Sequence, residues 1–117
     1  MKNKINYTSQ SRRDLDAIWD SIFFDLQNPE GAEHTITRIL DTIDQLELFA
    51  ESGAPLSSIS DAGRDERFLV SGKYLIFYHT AYNENAVTID RVLYGGRDYL
   101  RILFERTLEE LPDGSEF

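Results

Sequence analysis

The sequence predicts an α+β fold: a mostly antiparallel sheet with a helical hairpin packed on one face. Three observations lead there. Residues 9–52 carry two apolar stripes at helical spacing, residues 66–94 switch to aromatic and β-branched runs, and a short strand-like segment precedes both.

Each element has its own local reason. Residues 2–7 read as a first strand, and Thr8-Ser9 then offers a helix N-cap. Leu15, Ile18, Trp19, Ile22, Phe23 and Leu26 recur at i, i+3, i+4, i+7, i+8 and i+11, with Arg12, Arg13, Asp16, Asp20 and Asp25 largely on the other side. Asn28-Pro29 ends that helix and starts the next. Asn28 supplies the cap, and Pro29 takes the first helical position, where its missing N–H costs nothing. Ile36, Ile39, Leu40, Ile43, Leu46 and Ala50 mark a second buried stripe ending near Ser52-Gly53, and the short connection makes the pair antiparallel.

Residues 53–64 have no period and are rich in small and turn residues, so they read as a loop. Strands follow at 66–71, 73–80 and 86–94, turning at Ser71-Gly72 and at 82–85. The first strand is expected to pair into this sheet by a longer return. Asp98 is placed to cap a short closing helix through Phe104.

The last strand poses a problem of parity. Val87, Ile89, Arg91 and Leu93 fall on one face and Thr88, Asp90, Val92 and Tyr94 on the other, so without a bulge Arg91 sits among apolar neighbours and needs a partner. Period two also forbids Leu75, Ile76, Phe77, Val92 and Tyr94 from all facing the helices. Free apolar surface on the second face is therefore expected, suited to an incoming peptide.

Length and composition bound the function. A chain of 117 residues fits one domain, taken as residues 1–104, with an acidic tail at 105–117. The absence of cysteine excludes disulfides and thiolate metal sites, and His34 and His79 alone argue against a histidine-built centre. No cofactor or metal is expected. The first residues lack the apolar core of a signal peptide and no apolar run approaches a membrane span, which points to the cytoplasm.

Net charge is −9, unevenly spread: residues 1–63 hold five basic and eleven acidic side chains, residues 64–106 seven and six, and residues 107–117 none and four. Non-specific polyanion binding is disfavoured, but a basic patch in the C-terminal half is open. That patch is Arg64, Arg67, Lys73, Arg91, Arg97 and Arg101, interleaved with Tyr74, Tyr78, Tyr94 and Tyr99. Guanidinium groups fork onto phosphates and phenols offer stacking faces. For any single member the simpler reading is a strand tyrosine, or an arginine paired with Asp65, Glu66 or Asp90; the clustering argues for a partner. His79, at a strand end, is the one histidine near the set, and an edge residue is its simpler role. Gly95-Gly96 reads as a tight turn. The helix acids Asp14, Asp16, Asp20, Asp41, Asp44 and Glu47 read as a solvated face without metal-site spacing.

Taken together, these residues resemble the RelE/ParE superfamily of type II toxin–antitoxin toxins, and within it the ParE-like, plasmid-stabilisation branch. The resemblance rests on residues 12–22 (Arg-Arg-Asp-Leu-Asp-Ala-Ile-Trp-Asp-Ser-Ile), on Arg67 to Tyr78, and on residues 92–100 (Val-Leu-Tyr-Gly-Gly-Arg-Asp-Tyr-Leu), spanning about residues 4 to 104. It implies a bacterial toxin neutralised by a small antitoxin whose C-terminal segment wraps it. ParE-like members are associated with poisoning of DNA gyrase, and on that reading Arg91, Tyr94, Arg97 and Arg101 form the target-binding set. RelE-like members cut messenger RNA on the ribosome without a metal, and the corresponding set here is Arg67, Tyr94 and Arg97. Where many relatives read His-Gly-Arg-Arg-Asp, this chain has Tyr94-Gly95-Gly96-Arg97-Asp98. A base and a cation are thereby replaced, and an ordinary phenol titrates near ~10, too high to accept a 2′-hydroxyl proton readily. This departure and the net acidity favour the gyrase-directed reading over the nuclease, with an inactive relative kept as a binding module as a third.

The ending Gly114-Ser115-Glu116-Phe117 is what adjacent restriction sites in a cloning vector encode, so these four residues read as a scar. The rest of the tail is expected to add little to the core, although Leu108 and Leu111 leave open a self-masking segment over the arginines.

Overall fold

In a computed structural model of the chain, residues 2–55, 66–81 and 84–95 are described. The order is β1 (Lys4–Tyr7), α1 (Ser9–Asp20), α2 (Pro29–Asp44), β2 (Ala54–Pro55), β3 (Glu66–Ser71), β4 (Tyr74–Ala81) and β5 (Ala86–Tyr94). One five-stranded sheet runs β1-β5-β4-β3-β2. Among the described strands only the β1–β5 pairing is parallel; from β1 the chain passes through the helical hairpin to β2 at the opposite edge and returns to β5 by way of β3 and β4. The closing helix expected at 98–104 and the tail at 105–117 lie outside the described residues.

The caps are those expected. The Ser11 N–H donates to Thr8 Oγ1 at 3.0 Å and the Gly31 N–H to Asn28 Oδ1 at 3.0 Å. Two helix ends differ from the sequence reading. After Asp20 the chain makes a π-helical turn over Ser21–Asp25, whose extra residue per turn rotates the stripe. Leu26, placed on the buried stripe by spacing, is instead 69% exposed. The second helix stops at Asp44, well before Ser52, and continues as a 3₁₀ turn over Gln45–Glu47 that still buries Leu46. Within the segment read as loop, Ala54–Pro55 pairs with the edge of β3; residues 56–65 lie outside the described residues.

The core lies between the hairpin and one sheet face. Ile18, Ile22, Ile39, Ile43 and Leu46 meet Ile76, Tyr78, Val87, Ile89 and Val92, with Leu15, Trp19, Ile36 and Leu40 packed around them. Trp19 sits at the margin, half-buried and stacked on Phe23 with centroids 5.6 Å apart.

Tyr78 shows how the sheet pins a loop. Its hydroxyl accepts from the Gly53 N–H and donates to the Ala50 carbonyl, both at 2.9 Å, from a fully buried position. Tyr78→Phe is expected to cost about 2 kcal/mol in urea or thermal unfolding, because it strands both backbone groups.

The parity problem of β5 is resolved by a bulge. Tyr78 stands opposite Ile89 and Phe77 opposite Arg91, leaving Asp90 as the extra residue. Ile89 and Val92 both reach the helix face, and Leu93 moves to the second face beside Leu75. On that second face Leu75, Phe77 and Leu93 are only 8%, 2% and 5% exposed. The free apolar patch expected there does not exist at these positions. Among the second-face residues described, Val70, near the β3 edge, is the one large apolar side chain that stays well exposed.

Candidate functional site: a groove beside the last strand

The parallel partner β1 ends at Tyr7, so β5 beyond Ile89 has a bare edge. Thr8 and Asp14 dress it. The Thr8 hydroxyl donates to the Asp90 carbonyl at 2.9 Å, and the Val92 N–H donates to Asp14 Oδ2 at 2.9 Å. Arg91 wraps round the same edge and clamps Asp14 with Nε at 2.8 Å and Nη2 at 3.0 Å. The clamp raises the guanidinium pKa above its already high value, chiefly through the hydrogen bond to Asp14. Asp14, a solvated acid by its spacing, is in the structure a half-buried carboxylate holding three N–H donors.

Where the hairpin and the C-terminal end of β5 diverge, a groove of about 970 Å³ opens. Ile18, Ile22 and Val92 line it with apolar surface, Tyr74 and Tyr94 form an aromatic wall with ring centroids 5.8 Å apart, and Leu26 stands at the π-turn end. Exposed Arg38 and Lys73 bring positive charge to its border. Burial and the neighbouring Tyr94 raise the Tyr74 phenol above the ordinary 10.0. The folded state thus keeps a proton that the unfolded chain releases first, so this contribution to stability is intact below about pH 10 and declines above it. Tyr74→Phe is expected to shallow the alkaline limb of a stability–pH curve without moving the neutral region.

The residues named from sequence do not converge. Tyr94 lines the groove and is 42% exposed, whereas Arg91 lies beside it but is committed to Asp14. Arg67 lies opposite Tyr78, and its Nη1 donates to the Glu51 and Gly53 carbonyls at 3.1 and 2.9 Å. Four residues of strand, roughly 13 Å, separate its position from the Ser71–Tyr74–Tyr94 row. Arg97 and Arg101 lie outside the described residues, as do Gly96, Tyr99 and Arg64.

A second cluster has no counterpart in the sequence reading. His79 Nδ1 lies 2.8 Å from Asp90 Oδ2, and the carboxylate is almost fully buried. Asp90 keeps the face of Thr88, which stands opposite His79, so its carboxylate reaches the imidazole on the second face. No group of metal-ligating side chains occurs among the described residues, and no described helix is long and apolar enough to cross a membrane.

Comparison with known proteins agrees with this architecture. Residues 5–99 match the model of the ParE toxin of type II toxin–antitoxin systems, parDE. The chain belongs to that family, within the RelE/ParE superfamily. Among solved structures it is similar to the chromosomal ParDE toxin–antitoxin system of P. aeruginosa, at 22% identity and TM-score 0.65, over 80% of this chain and 96% of that one. It also resembles the archaeal RelE–RelB complex of Pyrococcus horikoshii (18% identity, TM-score 0.58, 83% and 99% covered). A third likeness is to the RelBE2 toxin–antitoxin complex of Mycobacterium tuberculosis (18%, 0.57, 80% and 92%). No curated protein matches by sequence. The chain is a type II toxin–antitoxin toxin of the ParE/RelE kind.

Proposed function

We propose that the chain is a toxin held inactive by an antitoxin segment seated in the groove, and that its cellular target is DNA gyrase. The groove carries the first half: apolar residues within, two aromatic rings along one wall and exposed Arg38 and Lys73 at the border. That pattern fits an amphipathic segment whose apolar side faces Ile18, Ile22 and Val92 and whose acids meet the two cations. An occupant would cover Tyr94, the described member of the target-binding set with substantial exposure. Gyrase as target is supported by membership of the ParE family and by the motif at 94–98, which lacks the histidine and second arginine of many nuclease relatives. Burial also pushes the adjacent Tyr74 phenol away from the range of a useful base.

The His79–Asp90 pair favours a second reading, a metal-free ribonuclease. A carboxylate on Nδ1 orients an imidazole so that Nε2 can take a 2′-hydroxyl proton. Purified protein should inhibit gyrase supercoiling and leave messenger RNA on translating ribosomes intact. Cleavage in the second assay, lost on His79→Ala, would reverse the order.

A further inference from the structure

Packing of the hairpin against the sheet leaves an aromatic ladder on its outer side. Trp19 stacks on Phe23 with centroids 5.6 Å apart, and Phe23 meets Phe24 at 4.8 Å. Along this series the rings climb from the half-buried margin of the core into solvent, where Phe24 is 63% exposed. None of the three rings lines the groove. The π-helical turn over Ser21–Asp25 carries both phenylalanines, and such turns inside helices are kept mostly at functional sites. A lone exposed phenylalanine calls for no explanation, but three stacked rings ending in an open face make a continuous apolar strip.

The charge around the strip decides what it can receive. Residues 14–37 hold six acids and no lysine or arginine. Asp14 is committed to Arg91; the other five, Asp16, Asp20, Asp25, Glu30 and Glu33, are exposed and have no cationic partner among the described residues. Asp16 and Asp20 flank Trp19 on α1, Asp25 follows Phe24, and Glu30 and Glu33 stand on the first two turns of α2 across the tip of the hairpin. Like charge disfavours a nucleic acid, an anionic membrane and a second copy presenting the same face. The groove has the opposite border, Arg38 and Lys73, so the two surfaces select opposite partners. What fits the outer face is a segment with apolar side chains for the rings and lysines or arginines for the acids, and those cations gain further from lying over the open aromatic faces.

We propose that the outer face of the hairpin, centred on Trp19, Phe23 and Phe24, is a docking surface for a cationic amphipathic segment of another protein. It lies apart from the groove, so such a partner can be held while the groove is filled. The inference depends neither on what the groove holds nor on the cellular target.

Trp19 is the only tryptophan, so its emission reports directly on the ladder. The full chain is titrated with a Leu/Lys amphipathic helical peptide of about 18 residues and with a Leu/Glu peptide of the same pattern. The Leu/Lys peptide should shift Trp19 emission saturably and move the backbone amide resonances of residues 19–25 and 30–33 ahead of those of the groove. Its affinity should fall roughly 10-fold as salt rises from about 50 to about 300 mM. Phe24→Ser, at an exposed position, should weaken the peptide by roughly 10-fold with the melting temperature unchanged. Asp20→Lys with Glu33→Lys should turn the preference towards the Leu/Glu peptide. Equal binding of both peptides by the unaltered chain, resonance shifts confined to the groove, or undiminished binding by Phe24→Ser would each overturn the proposal. A concentration-dependent dimer in sedimentation, lost on Phe24→Ser, would assign the face to a second copy and overturn it as well.

Discussion

Asp14→Ala should lower the stability of this 117-residue chain by about 3 kcal/mol, the lower end for breaking a buried ion pair. Two losses combine. The Arg91 guanidinium, with its side chain 20% exposed, keeps its charge and loses both hydrogen bonds, while the Val92 N–H on the bare edge of β5 loses its acceptor. The midpoint of thermal unfolding should fall by roughly 10 °C. Asp14→Asn separates the terms, because one amide oxygen can still accept from Val92 but cannot hold Arg91 with a charged fork. In a double-mutant cycle with Arg91→Met, a coupling energy near zero would show that the pair contributes nothing beyond its parts.

The larger functional effect is expected in the groove. Leu26→Asp with Arg38→Glu places two acids where an antitoxin's apolar and acidic residues would sit, and should weaken antitoxin capture by roughly 100-fold or more, about 3 kcal/mol. Leu26 is exposed and neither residue belongs to the proposed target-binding set, so fold and toxicity should survive. The expected phenotype is a toxin that its antitoxin no longer rescues. Calorimetric titration with the antitoxin, read beside growth arrest on induction, decides it: unchanged affinity would remove the groove from the interface.

Much of the fold is legible in the sequence because its signals are local. Thr8 and Asn28 cap where they stand, and the stripes of the two helices bury Ile18, Ile22, Ile39 and Ile43 as spacing implies. The misreadings arise where one residue changes the count. The π-turn at Ser21–Asp25 takes Leu26 out of the core, and the bulge at Asp90 moves Val92 and Leu93 to faces that strict alternation denies them. The site is harder to see. Arg91 announces its need for a partner, but the partner lies 77 residues away, and nothing in the spacing of Asp14 distinguishes it from the solvated acids around it. The groove is written in no motif, being the space left where two elements part.

The extra residue at Asp90 also gives β5 two reading frames on a single backbone. Residues 86–89 are held in one frame by β1 and the interior, residues 91–94 in another by β4 and the groove. Deleting Asp90 would make Ile89 and Arg91 direct neighbours opposite Tyr78 and Phe77, so Val92, Leu93 and Tyr94 would keep their faces while the carboxylate on His79 is lost. What β5 cannot accept is a flattened bulge with Asp90 still in place: that one-residue slip would turn Val92 and Tyr94 away from the hairpin and Leu93 towards it, and the groove would have to be rebuilt from different side chains.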